Sequence, residues 1–223
     1  MRPANTRGDR FGGSFENRTR FFRETFKEMR KRIGDDSFLI GLRFSVYEGI
    51  PGGFGTSGPE EVIEELHEPL LFAQMAEEAG VDYLNVSAGI PAITHEIVRP
   101  TRSFPEGVYR HFGWAKAVKG RVRIPVIGSG YSYLRDGEND LKEPNPAKKS
   151  FLYWAEKNLR DGHVDLVGIG RQSLADPLFA KKVLGAEFDR IHYCKVCGGC
   201  SVLLRSQREV GCTLYDPYYR GLL

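Results

Sequence analysis

Apolar positions along the chain change their spacing several times, and each change marks a new element. Over residues 16–33 they fall at Phe21, Phe22, Phe26, Met29 and Ile33, close to helical spacing, and Gly34 stands where a helix would stop. Residues 38–45 are a short, mostly apolar run that reads as a buried strand. A glycine-rich loop follows over 49–58, then a helix over 60–80 ending in Ala79-Gly80. Strands are expected at 83–87, 124–128 and 166–169, and helices at 107–120, 150–161 and 176–184.

Four strands alternating with helices, each strand apolar throughout, describe a parallel sheet buried on both faces. The predicted class is therefore α/β. Two connections are long and loop-like: 88–106, with Pro91, Pro100 and Pro105, and 131–149, with Pro144 and Pro146. Long loops at the C-terminal ends of parallel strands are where such folds keep their chemistry. A doubly wound dinucleotide fold would need a glycine-rich turn directly after the first strand. Here that strand ends in Arg43-Phe44-Ser45, and Gly52-Gly53-Phe54-Gly55 comes too late to open a helix.

Composition narrows the field further. The 223 residues are 41% hydrophobic and 27% charged, ordinary for a soluble globular chain with a real core. A net charge of +3 is too small to suggest nucleic acid or a membrane surface as partner. The basic stretch 1–32 has acids mixed in (Asp9, Glu16, Glu24, Glu28), the pattern of a solvated helix face. No run approaches the ~18 apolar residues of a membrane span, and no signal-peptide pattern is present, so a cytoplasmic location is expected.

Placement of cysteine adds chemistry. All four lie within 194–212, as Cys194-x2-Cys197-x2-Cys200-x11-Cys212, and none precedes them. A disulfide framework would staple the whole chain, whereas a local cluster points to metal. Three thiolates on a tight turn plus one distant partner suit a four-iron cluster better than paired knuckles suit zinc, and Gly198-Gly199 would let the chain wrap round an inorganic core. Zinc and free thiols stay open as alternatives.

The N-terminal segment carries the most specific motif. Residues 5–21 fit the pattern N-x-R-x-D-x-[YF]-G-G-S-x-E-N-R-x-R-F at every fixed position: Asn5, Arg7, Asp9, Phe11, Gly12, Gly13, Ser14, Glu16, Asn17, Arg18, Arg20 and Phe21. Gly12-Gly13 permit a sharp turn, Ser14 can cap the following helix, and Glu16 suits its first turn. This segment resembles the one that follows the fourth barrel strand in the old yellow enzyme (NADH:flavin oxidoreductase) family, and the similarity runs nearly to the end of the chain. The cysteine spacing resembles that family's iron–sulfur branch, which includes dienoyl-CoA reductase, enoate reductase and trimethylamine dehydrogenase. Dienoyl-CoA reductases usually have one more residue in the second gap.

The resemblance implies a fold and a set of roles. Residues 1–190 would be the C-terminal half of an FMN-binding TIM (β/α)8 barrel, and 191–223 an iron–sulfur segment. Arg43, ending the first strand here, would approach the flavin ring; a structural ion pair is the other reading of a buried arginine. Ser129 and Gly130 after the third strand, and Gly170 and Arg171 after the fourth, would hold the FMN phosphate, a role the last strands of such barrels commonly take. Tight packing at barrel corners is the plainer reading of those glycines. His95, in Thr94-His95-Glu96-Ile97-Val98-Arg99-Pro100-Thr101, resembles the His-Glu-Ala-Arg-Ile-Pro-Thr stretch of dienoyl-CoA reductases and would assist protonation of substrate. Cys194, Cys197, Cys200 and Cys212 would ligate a 4Fe-4S cluster.

The activity implied is ene-reduction of a small molecule. Electrons from NAD(P)H, entering in relatives through a further domain that binds FAD, would pass through the cluster to FMN and then to an activated alkene. Four of eight strands cannot close a barrel. The chain is therefore expected to form a homo-oligomer or to pair with a complementary half-barrel chain. A non-catalytic fragment or subunit that needs a complementary chain is the competing class, and a zinc-stiffened binding module is a third.

Overall fold

Ser14 and Gly34 bracket the first helix, as their residue types demand. In the computed structural model, which describes residues 5–134 and 145–223, α1 runs Phe15–Ile33. The Ser14 hydroxyl accepts from the Asn17 N–H at 3.3 Å, and Gly34 ends the helix at φ 61° with its N–H donating to the Arg30 carbonyl at 3.1 Å. A polar N-cap and a left-handed glycine satisfy backbone groups that the helix cannot.

The glycines ahead of α1 have separate reasons. A Cβ at Gly12 would collide with the Arg7 carbonyl oxygen, while Gly13 sits at φ 79°. Asp9 takes the Arg7 guanidinium and the Phe11 N–H, which together hold its carboxyl at about 2. Arg18 donates to the Gly13 carbonyl at 3.0 Å and to Glu68 at 2.7 Å, its side chain only 7% exposed. Arg18 thus ties this turn to the start of the second helix.

The remaining elements are β1 Gly41–Ser45, α2 His67–Glu78, β2 Tyr83–Ser87, α3 His95–Val98, α4 Glu106–Lys119 and β3 Val126–Gly128. Then come α5 Pro146–Lys149, α6 Phe151–Arg160, β4 Leu166–Val167, α7 Arg171–Ala175, α8 Phe179–Leu184, α9 Gly199–Arg205 and α10 Pro217–Arg220. All four strands are parallel, in the order β1-β2-β3-β4. The predicted parallel β/α architecture is present.

The strands are not buried on both faces, as their apolar character suggested. Successive side chains point to opposite sides of a sheet. Phe44, Leu84, Val86 and Val126 point into a core shared with Ala73 and Ala76 of α2 and Trp114, Ala115 and Val118 of α4. Arg43 and Leu166 are exposed instead. Arg43 is therefore not the buried arginine the sequence suggested, because its neighbour Phe44 takes the core side. Tyr83 leans over Gly41, where a Cβ would strike its ring.

Several boundaries also differ. The helix expected over 60–80 begins only at His67, because residues 61–65 pair back across the glycine-rich loop through Gly52 N–H to Glu61, Ser57 N–H to Ile63 and Glu65 N–H to the Gly55 carbonyl. The helix expected over 176–184 starts at Phe179 and is preceded by α7, the two parted at Asp176-Pro177, where proline cannot continue a helix. The loop 88–106 contains the short α3. Of the loop expected over 131–149, residues 135–144, including Pro144, lie outside the described residues.

By packing, the chain divides into two units. One takes Met1–Ser129 with Lys157–Val167 and contains the whole sheet; the other takes Gly130–Glu156 with Gly168–Leu223. The second has its own aromatic core, with Phe151 5.8 Å from Tyr131 and 4.9 Å from Phe179, centroid to centroid. Among the described residues no helix is long and apolar enough to cross a membrane.

Candidate cluster and cofactor sites

Gln172, the second residue of α7, organises the approach to the cysteines. Buried to 1% exposure, it accepts the Cys194 N–H on Oε1 at 3.0 Å and donates from Nε2 to the His192 carbonyl at 2.9 Å. Asp176 takes the His192 N–H at 2.9 Å and the Lys182 ammonium at 2.6 Å. Tyr215 stacks on the His192 ring at 4.6 Å and donates its hydroxyl to the Tyr193 carbonyl at 3.0 Å. The segment leading into Cys194 is thus held at several points before any metal is considered.

From there the chain turns sharply. Val196 adopts φ 54° and Gly198 φ 86°. Glycine takes that conformation freely, but a β-branched residue there is a genuine outlier of the kind that collects at functional sites. The Val196 N–H donates back to the Cys194 sulfur at 3.4 Å. Cys200 lies on α9, and Gly199 lets Thr213 close in, since a Cβ at 199 would collide with the Thr213 hydroxyl.

The result is one pocket whose lining includes Cys194, Cys197, Cys200 and Cys212 together with Arg171 and Thr213. Among the described residues no group of three or more His, Cys, Asp or Glu side chains is arranged to hold a metal ion. Burial pushes the Cys194 thiol up, opposed by the Val196 N–H and by the nearby Arg171 charge. Arg171 itself stacks its guanidinium 4.9 Å over the Tyr133 ring and donates from Nη2 to the Tyr133 hydroxyl. Its Nη1 is buried and has no hydrogen-bond partner.

The glycines expected to serve a phosphate lie near the same residues in sequence. Gly130 has φ 99°, a conformation few other residues accept. Gly170 caps α7, and a Cβ built there meets nothing within 4 Å, so the space beside this main chain is open.

In the sheet-bearing unit, Arg43 stands in register with Asn85 on the exposed face of the sheet. Ser129, just after β3, donates its hydroxyl to the Val86 carbonyl at 2.7 Å, so its side chain is already committed. His95 is exposed at the start of α3. Its neighbour Glu96 fastens the loop by accepting the Arg102 and Ser103 N–H groups at 2.7 and 2.8 Å and the Ser103 hydroxyl at 2.9 Å. Sequence reasoning did not single out Glu96, Gln172, Tyr133 or Thr213. Nothing local marks them, because their roles exist only once the chain has folded.

Known proteins resemble the chain along most of its length. The chain is 34% identical over 197 residues to NADH oxidase of Thermoanaerobacter brockii, covering 88% of this chain and 26% of the relative. It is 28% identical over 215 residues to cinnamate reductase of Clostridium sporogenes, covering 94% and 29%. The fold is similar to that of histamine dehydrogenase from Rhizobium sp. 4-9, with a TM-score of 0.65 at 24% identity, covering 95% of this chain and 26% of that one. The chain spans about a quarter of the length of these relatives. Residues 2–148 match the NADH:flavin oxidoreductase / NADH oxidase family, and the chain belongs to it.

Proposed function

We propose that the chain is part of an FMN- and 4Fe-4S-dependent oxidoreductase of the ene-reductase type, acting with NAD(P)H on activated alkenes such as enoates or dienoyl thioesters. The observation that supports the cluster is the lining of one pocket by all four cysteines, spaced Cys-x2-Cys-x2-Cys-x11-Cys along the chain. Three closely spaced thiolates plus one distant partner suit a four-iron cluster better than paired knuckles suit zinc. When bound, FMN supplies hydride transfer and the cluster one-electron transfer.

The chain's own residues bind and orient. Cys194, Cys197, Cys200 and Cys212 hold the cluster in the segment 191–223. Ser129, Gly130, Gly170 and the main chain at Arg171 serve the phosphate; the open space at Gly170 and the left-handed Gly130 are compatible with a close anion. Arg43 presents its charge towards the flavin ring, and His95 gives a proton on the substrate side. The exposed face bearing Arg43 and Leu166 favours one addition: further structure covers it, from the rest of a longer chain, another copy or a complementary half-barrel chain.

Anaerobic purification tests the reading. The expected product is brown, absorbs broadly near ~400 nm, contains iron and acid-labile sulfide, and binds FMN with its partner chain present. A colourless protein holding one zinc would overturn it.

A further inference from the structure

Arg171 holds a buried donor that nothing among the described residues accepts. Its Nη2 is spent on Tyr133, and the ring beneath fixes the guanidinium plane. Nη1 is, among the described residues, the only buried side-chain nitrogen or oxygen left without a hydrogen-bond partner. Buried donors in folded proteins almost always have acceptors, and an orphan calls for one that is bound later. A guanidinium makes the demand stronger, because its donors carry charge. The cavity Arg171 lines contains no carboxylate; the anionic groups available there are the thiolates of Cys194, Cys197, Cys200 and Cys212 and whatever they bind.

We propose that the Arg171 side chain is a positioning residue for the iron–sulfur cluster, its buried Nη1–H donating to a cluster or cysteine sulfur and so raising the reduction potential. The inference rests on the cluster reading above. It also separates the two ends of this residue, leaving the phosphate to the main chain. Hydrogen bonds to sulfur and nearby positive charge are recognised controls of cluster potential. Reduction adds negative charge beside a fixed cation, which favours the reduced form. Tyr133 keeps the guanidinium from turning away, and Gln172, the next residue, fixes the first cysteine of the set.

The test is a redox titration of the anaerobically reconstituted full chain, followed by electron paramagnetic resonance. Arg171→Met is expected to load the cluster but to shift its oxidised-to-reduced ratio at fixed potential about tenfold, equal to ~59 mV downward for one electron. Arg171→Lys, which keeps the charge, recovers part of that shift. A loaded Arg171→Met cluster with unchanged potential overturns the inference and leaves the cluster reading intact; weakened FMN retention in that same variant would return the side chain to the phosphate. Wild-type chain without iron or sulfide overturns the cluster reading itself. Should Arg171→Met fail to load, the wild type labelled with 15N-arginine decides: a guanidinium 15N coupling to the reduced cluster is expected, and its absence is fatal.

Discussion

Cys194 is held by Gln172 through the main chain: the cysteine N–H donates to the buried amide oxygen at 3.0 Å, while the amide nitrogen donates to the carbonyl of His192 at 2.9 Å. One side chain thus spans two backbone groups on the way into the cysteine loop. Gln172→Met keeps the volume and removes both bonds. Each buried group left unpaired costs ~1–3 kcal/mol, so a loss of about 2 kcal/mol or more in urea unfolding is expected, with lower iron content after reconstitution. A melt and iron content equal to the parent's would mean that the loop is held by other contacts.

Gly12 and Gly8 make a matched pair for the N-terminal motif. Gly12→Ala drives a Cβ into the Arg7 carbonyl, and overpacking of this kind costs ~1–3 kcal/mol. Gly8→Ala meets nothing within 4 Å and needs no left-handed backbone. Chemical denaturation should separate the two clearly; equal stability would contradict the steric reading.

Glu96 gives the loop beside His95 a dependence on acid. Burial raises its carboxyl, but the Ser103 and Arg102 N–H groups and the Ser103 and Thr101 hydroxyls outweigh that and leave it below the ordinary carboxylate value. A depressed folded value means that the stabilisation is complete above the ordinary value of ~4.3 and lost as pH falls through the folded one. Amide exchange at Arg102 and Ser103, corrected for its intrinsic rate, is therefore expected to speed up below about pH 4. Glu96→Gln should be fast at both ends of the range. Protection in wild type that is level from neutral to acid pH would count against Glu96 as the fastener.

What the sequence revealed depended on how local the cause was. The α1 limits were readable because Ser14 and Gly34 act within one turn of the helix they bound, and β2 was placed without error at Tyr83–Ser87. The start of α2 was not readable. Residues 61–65 have a pattern a helix could use, but their main chain is taken by a loop several residues earlier. The five-residue α7 is too short for periodicity to register. Exposure of Arg43 was hidden for a related reason: strand alternation says which residues share a face, not whether anything covers that face. At the site, the cysteine spacing announced itself, whereas Tyr133 and Thr213 became visible only through contacts that join distant stretches of chain.

The sheet's strand order leaves its two outer strands unequal. β1 offers five residues of main chain along its outer side, and β4 only two. A further strand, whether from the same chain or another, therefore gains far more main-chain pairing beside β1 than beside β4, so the sheet is extended mainly from one side.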